Sequence, residues 1–261
     1  MSEIRIVLVE PSHPGNIGAA ARAMKNMGLE HLVLVRPKRF PDPEATARAS
    51  GAEQVLARAR VVARLEEGIA GCGFIAGTTS RERDQRFRVL DVREAAVRLQ
   101  VELRRAPTAI LFGAERTGLT NEDLEPCHAL VRIPAAADYP SLNLAMAVQL
   151  VAYELWRAHE PGAASPAPEL DATLAAPLAT PEQMQRLYAH LEQVMDEVGF
   201  HDRTQSGTHL MARIRRFLQR AELDQNEANI LRGLLTAVQQ RRRAAGAASR
   251  SAERRGRGGR K

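Results

Sequence analysis

The sequence predicts an α/β fold: a mostly parallel sheet, then a small all-α domain and a basic tail. Two observations carry this reading. Six short, nearly unbroken apolar runs alternate with amphipathic helical stretches across the first 158 residues, the pattern of strands covered on both faces. Beyond residue 180 the period changes to that of helices alone. At 261 residues the chain is long enough for one α/β domain and a smaller one, and a fold of this size removes roughly 70–75% of its unfolded surface from water without staples.

The strands are expected at Ile4 to Val9, His31 to Arg36, Arg60 to Leu65, Gly73 to Gly77, Thr108 to Phe112 and Ala129 to Ile133. Between them, a helix starts near Asn16 and stops at Gly28, a suitable residue just past a helix end. Others cover Asp91 to Arg105 and about Ser141 to Ala158. Composition shifts at Glu160 into Pro161-Gly-Ala-Ala-Ser-Pro-Ala-Pro168, which has neither period and reads as a linker. Thr180-Pro181-Glu182-Gln183 is a capping box with proline at the first helical position. It opens a helix with Met184, Leu187, Leu191, Val194 and Met195 on one face. His209 to Arg220 is the second helix, and Asp224 with Glu227 caps a third, expected to pack through Ile230, Leu231, Leu234, Leu235 and Val238. The domains are therefore 1–158, a linker 159–179, a helical domain 180–243 and a disordered basic tail 244–261.

Composition excludes several classes. Cys72 and Cys127 give neither a disulfide framework nor metal-ligand spacing, so no metal is expected and a reducing compartment is. The N-terminus runs straight into a strand pattern without a signal-peptide core. The longest apolar segment, Leu142 to Trp156, is interrupted by Asn143, Gln149 and Glu154 and is too short to span a bilayer. A cytoplasmic protein with no membrane partner is predicted. Residues 241–261 hold nine Lys/Arg and one acid, a local +8, which leaves the first 240 residues at −2 within the total of +6. The high pI belongs to the tail, whose composition suits phosphate contact.

Three segments, each following a strand, carry the candidate chemistry, because open α/β sheets place ligands at the carboxyl ends of strands. In the first, Glu10-Pro-Ser-His-Pro-Gly-Asn16-Ile-Gly18-Ala-Ala-Ala-Arg22, Asn16 stands at a helix start as cap or ligand contact. Gly18 and the alanines permit a close approach, and Arg22 lies one turn beyond Gly18 on the same face. In the second, Gly113-Ala-Glu115-Arg-Thr-Gly118-Leu119-Thr120, two glycines let backbone come near a ligand and a capped helix begins near Thr120. It is not a Walker motif. Nor is Gly71-Cys-Gly73 a dinucleotide fingerprint, since Ala76 stands where the third glycine belongs; an oxidoreductase is thereby disfavoured. In the third, Tyr139-Pro140-Ser141-Leu142-Asn143, Ser141 is expected to cap the following helix. That helix is apolar nearly all round, which predicts burial on more than one side and a dimer interface.

In order and spacing these segments resemble the three motifs of the SPOUT (SpoU-like) methyltransferases. Ser12-His13-x-Gly15-Asn16, Gly77-Thr-Thr-Ser-Arg81 and Ser141-Leu-Asn-Leu-Ala-Met-Ala-Val-Gln-Leu are similar to the TrmJ-type tRNA 2′-O-methyltransferases in particular. The resemblance covers about residues 4–156. It implies a C-terminal trefoil knot, an exception to the rule of unknotted chains. It also implies a homodimer, S-adenosyl-L-methionine as cofactor, and methylation of the ribose of cytidine or uridine at position 32 of the tRNA anticodon loop. Carried over motif by motif, Thr78, Thr79, Ser80, Gly113, Ile133, Pro140, Ser141 and Leu142 would contact the cofactor. Asn16, Arg22, Glu115, Ser141 and Asn143 would surround the reaction, with Arg22 central and Glu115 ordering the loop or a neighbouring arginine. Arg81, Arg83 and Arg86 would face the RNA. The alternatives are a SPOUT enzyme acting on rRNA or another tRNA position, and a knotted domain that binds RNA without catalysis.

Overall fold

The computed structural model describes residues 3–80, 87–159, 177–201 and 210–257, with side chains to residue 242. Seven strands form one sheet in the order β3-β2-β1-β6-β4-β7-β5: β1 (Ile4–Val9), β2 (His31–Val35), β3 (Arg60–Val62), β4 (Phe74–Thr78), β5 (Arg88–Asp91), β6 (Thr108–Phe112) and β7 (Ala129–Arg132). Every pairing is parallel. The period of two sorts the apolar side chains into two cores. Ile4, Ile6 and Leu8 face one core with Leu32, Leu34 and Phe112. Val7 and Val9 face the other with Val33, Val35 and Leu111.

The first core is closed by α1 (Pro14–Asn26), α2 (Pro43–Ala49), α3 (Glu53–Ala57), α5 (Val92–Glu102) and α7 (Leu144–His159). The second is closed by α4 (Leu65–Ile69) and α6 (Asn121–Leu124). Helix α1 ends as its sequence requires: Gly28 takes φ 66°, its N–H donates to Lys25 O at 3.1 Å, and Leu29 N–H donates to Met24 O at 2.9 Å, a Schellman closure. A Cβ at Gly18 would collide with the main chain of Ala45, so the close approach expected at Gly18 is made to α2.

Several expectations are corrected. Strand β5 is not among the expected strands because it lies at the sheet edge, and of its four residues only Leu90 is buried, which leaves no apolar run to find. Strand β3 stops at Val62, and Leu65 already starts α4. Helix α1 begins at Pro14 with His13 before it, so Asn16 is inside the first turn and is no cap. Helix α7 begins at Leu144, capped by Asn143, whose Oδ1 accepts from Ala145 N at 2.9 Å and Met146 N at 3.4 Å. Ser141 therefore does not cap it.

The helical domain contains α8 (Pro181–Val198), α9 (Leu210–Arg220) and α10 (Gln225–Arg257). Both expected capping boxes form, Thr180 with Gln183 and Asp224 with Glu227. Helix α10 packs through Ala228, Leu231 and Leu235, whereas Ile230 and Leu234 stay exposed, because five apolar positions span a wider arc than one neighbouring helix covers. Residues 244–257, expected to be disordered, continue α10 as helix; alanine and arginine are strong helix formers, and the two glycines there do not outweigh them. The bundle meets the sheet domain through polar contacts. Arg98 on α5 pairs with Glu222 at 2.6 Å and with buried Glu102 at 3.0 Å. Gln219 Nε2 donates to Pro126 O at 2.9 Å.

Candidate active site

In an all-parallel sheet every carboxyl end lies on one side, and the order β1-β6-β4-β7 makes those four ends neighbours. The loops they emit are the ones that carry the motifs. Between them is a cavity of about 220 Å³. Its wall takes Thr78, Thr79 and Ser80 from the end of β4, Gly113 to Leu119 from the loop after β6, and Ile133, Pro140, Ser141 and Leu142 from the loop after β7. Leu144 and Ala147 of α7 close it. All eight residues expected to contact a cofactor thus line one cavity.

Main-chain contacts hold this wall. Thr78 Oγ1 donates to Leu111 O at 2.9 Å, and Thr79 N–H donates to Val131 O at 3.0 Å. The loop after β6 is folded tightly on itself, with Gly118 N–H donating to Ala114 O at 2.8 Å. A Cβ at Gly113 would strike the main chain of Gly118 and Leu119. Glycine at 113 is a steric requirement of the turn.

Beside the cavity a chain of hydrogen bonds joins all three motif segments. Glu115 Oε2 accepts from Ser12 N at 2.9 Å and from Ser12 Oγ at 2.8 Å. Its Oε1 accepts from His13 N at 3.1 Å and Asn16 Nδ2 at 3.0 Å. Asn16 Oδ1 in turn accepts from Asn143 Nδ2 at 3.0 Å. Burial pushes the Glu115 carboxyl up, but the bonds from Asn16 and Ser12 outweigh it and hold the group down at about 2. It is a permanent anion with four donors on it, unsuited to carrying a proton. Of the two roles expected for Glu115, it orders the loop and meets no arginine in this network.

Arg22 is not brought into this arrangement. It is exposed on α1 and does not line the cavity. Arg81, Arg83 and Arg86 lie outside the described residues. Among the described residues no group of three or more His, Cys, Asp or Glu could hold a metal ion, and no helix is long and apolar enough to cross a membrane.

The model of the SpoU rRNA methylase family matches residues 3–153. That of the C-terminal domain of tRNA methyltransferase TrmJ matches 182–249. A tRNA (cytidine/uridine-2′-O-)-methyltransferase TrmJ from Sodalis glossinidius is 46% identical over 239 residues, 92% of each chain. The chain belongs to the SpoU methylases, on their TrmJ branch. A Pseudomonas aeruginosa TrmJ, named for cytidine, uridine and adenosine, is 45% identical over 92% of this chain and 95% of its own. The solved TrmJ of Z. mobilis ZM4 superposes with a TM-score of 0.76 at 33% identity, covering 90% of this chain and 98% of that one.

For this SpoU methylase the sequence reading missed Ser12 and Arg116. Ser12 gives two of the four bonds to Glu115, and only its place inside the first motif pointed to it. Arg116 lines the cavity and is exposed; a lone arginine in a loop gives no signal until the loop is seen to border a cavity.

Proposed function

We propose that this chain is an S-adenosylmethionine-dependent methyltransferase acting on tRNA, and that its target is the ribose 2′-hydroxyl of cytidine or uridine at position 32 of the anticodon loop. The observation that carries the proposal is the cavity at the ends of β6, β4 and β7, joined to the loop after β1 by the hydrogen bonds of Glu115, Asn16 and Asn143. The TrmJ relatives, matched over nearly their whole length, are named for tRNA 2′-O-methylation. A tRNA substrate implies a cytoplasmic location.

The cavity suits the donor. Its apolar floor of Val131, Ile133, Leu142 and Leu144 accepts an uncharged body, and Thr78, Thr79 and Ser80 offer hydroxyls and main-chain groups at the rim. S-adenosylmethionine would supply a methyl group on a cationic sulfur that departs as a neutral thioether. The knotted path implied for these loops would hold it bent. The remaining task is to present a hydroxyl that is barely ionised at neutral pH. Asn16 and Asn143 are held in the framework, while Ser141 lines the cavity with no hydrogen-bond partner among the described residues. We assign Ser141 to orienting the ribose.

Arg22 remains the candidate for binding the adjacent phosphate and stabilising developing alkoxide charge, since a guanidinium stays protonated. Helix α1 packs on α7, and α7 exposes Met146, Leu150 and Tyr153 along one face. A second copy covering that face would make the homodimer and place Arg22 near the interface. Arg22→Ala is expected to abolish turnover with donor binding kept; normal turnover would remove Arg22 from the mechanism.

The experiment that tests the function is incubation of labelled S-adenosylmethionine with unmodified tRNA transcripts, followed by mapping of the new methyl group. Label on ribose 32 is the expected result. Label on another tRNA nucleotide, or on rRNA as the family's name suggests, would move the assignment, and no transfer to any RNA would overturn it.

A further inference from the structure

Among the described large apolar side chains, Tyr139 is the most exposed, at 78%. It ends a short turn, donating its N–H to Ala136 O at 3.1 Å, and immediately precedes Pro140, Ser141 and Leu142 of the cavity wall. The other exposed apolar residues of α7, α9 and α10 lie along helix faces. Tyr139 stands by itself on a loop, at the rim of the cavity. Proline at 140 confines the backbone of Tyr139 to extended conformations, so the ring is presented on a short, restricted stem. Leaving an aromatic ring in water forgoes the burial that such side chains usually contribute.

We propose that Tyr139 is the platform on which the base of the target nucleotide stacks while its ribose enters the cavity. This rests on the function proposed above. The chemistry takes place at the sugar, so the base attached to it must come to rest just outside the cavity. Bases in RNA loops can be splayed out and are commonly held against aromatic side chains. Stacking reads the π-face and tolerates any planar base, so Tyr139 sets position and the discrimination among bases lies elsewhere. Arg116, exposed in the wall of the same cavity, is placed to meet a phosphate of the same nucleotide.

The test pairs a protein change with an RNA change. Tyr139→Ala is expected to lower kcat/KM for tRNA by roughly 5- to 150-fold, the range given by base–aromatic stacking, with the affinity for S-adenosylmethionine unchanged. Tyr139→Phe keeps the ring and should keep the rate. A tRNA with dihydrouridine at the target, which has no planar ring, should lose a similar factor with the wild-type protein and little more with Tyr139→Ala. Additive losses would overturn the proposal. So would a Tyr139→Phe variant as poor as Tyr139→Ala, or a Tyr139→Ala variant whose only defect is self-association. No methylation of any RNA by the wild-type protein would bring down the parent reading as well, whereas each of the other adverse results removes the platform alone.

Discussion

The strand-end loops and the helical domain solve opposite problems. At the strand ends the polar side chains are turned on one another: Glu115 accepts four hydrogen bonds, and Asn16 is held from both sides. In the helical domain cations are left facing water. Arg213 and Arg220 of α9 are exposed with no partner among the described residues, and Arg241 and Arg242 follow on α10. A site that aligns a nucleophile needs fixed geometry, which closed networks provide. A surface that captures a polyanion needs charge at some distance from its own counter-charges. The difference teaches which region to strike for turnover and which for affinity.

Within the strand-end network the largest effect should come from Glu115→Gln. The amide keeps the shape but turns a donor toward two of the four donors that the carboxylate now receives. With charged hydrogen bonds at about 1.5–3 kcal/mol each, losing two removes roughly 3–6 kcal/mol. Expressed at the site, that is about two to four powers of ten in turnover. Steady-state kinetics and a thermal melt on the same sample test it. Turnover within threefold of wild type would mean that the loop holds its form without the anion.

Next is the seam between the two regions. Arg98→Ala strands Glu102, whose side chain is only 3% exposed, and breaking a buried pair this way costs about 3–5 kcal/mol. Glu222→Ala leaves Arg98 with Glu102 and removes one charged bond at the bundle surface, about 1.5–3 kcal/mol. Urea unfolding of both variants should therefore rank them in that order. Equal losses would show that the sheet domain gains nothing from Arg98 beyond its tie to the bundle.

The same comparison explains what the sequence could disclose. The sheet was legible because β1, β2, β4, β6 and β7 are buried on both faces, and burial of that kind writes continuous apolar runs. Edge strand β5 is not, and leaves no such run. The cavity wall was legible through its glycines, hydroxyls and Pro140, which the resemblance placed in order. The network beside it was not. That Asn16 turns to Glu115, and Asn143 to Asn16, depends on contacts 99 to 127 residues apart, and local capping rules do not see them. In α10 the apolar pattern was real, but periodicity does not say which part of a broad face a neighbour will cover.

A smaller, pH-dependent effect separates core from surface. His128 is buried, stacks on Phe74 at 5.2 Å and accepts a hydrogen bond from Ile75 N–H at 3.1 Å through Nδ1. Burial, with Arg98 adding to it, pushes the ring down to about 4. The folded state therefore favours the neutral ring. Its stabilisation is complete above about 6.5 and fades as pH falls toward 4, by at most about 3 kcal/mol. In His128→Asn an amide oxygen can take the Ile75 bond and no proton is gained. The stability of that variant should stay flat from about pH 6.5 to about 5, where the wild type already declines, and below about 5 loss from Glu115 sets in for both proteins. Parallel curves for the two proteins would remove His128 as the source.

The smallest effects belong to single surface cations, and they are read as a slope. For every phosphate that a variant no longer neutralises, the dependence of log affinity on log salt should fall by about 0.7–0.9. Replacing Arg213 and Arg220 with serine should thus flatten the slope for tRNA by under two. Deleting residues 241–261, which carry nine Lys/Arg, takes away far more positive charge. If α10 lays its basic end along the RNA, the deletion flattens the slope by several times the α9 change. If both changes flatten it equally, only two or so of the nine charges reach phosphate, and α9 is the principal track. A slope unmoved by either change would contradict this division of labour and return RNA capture to the strand-end loops.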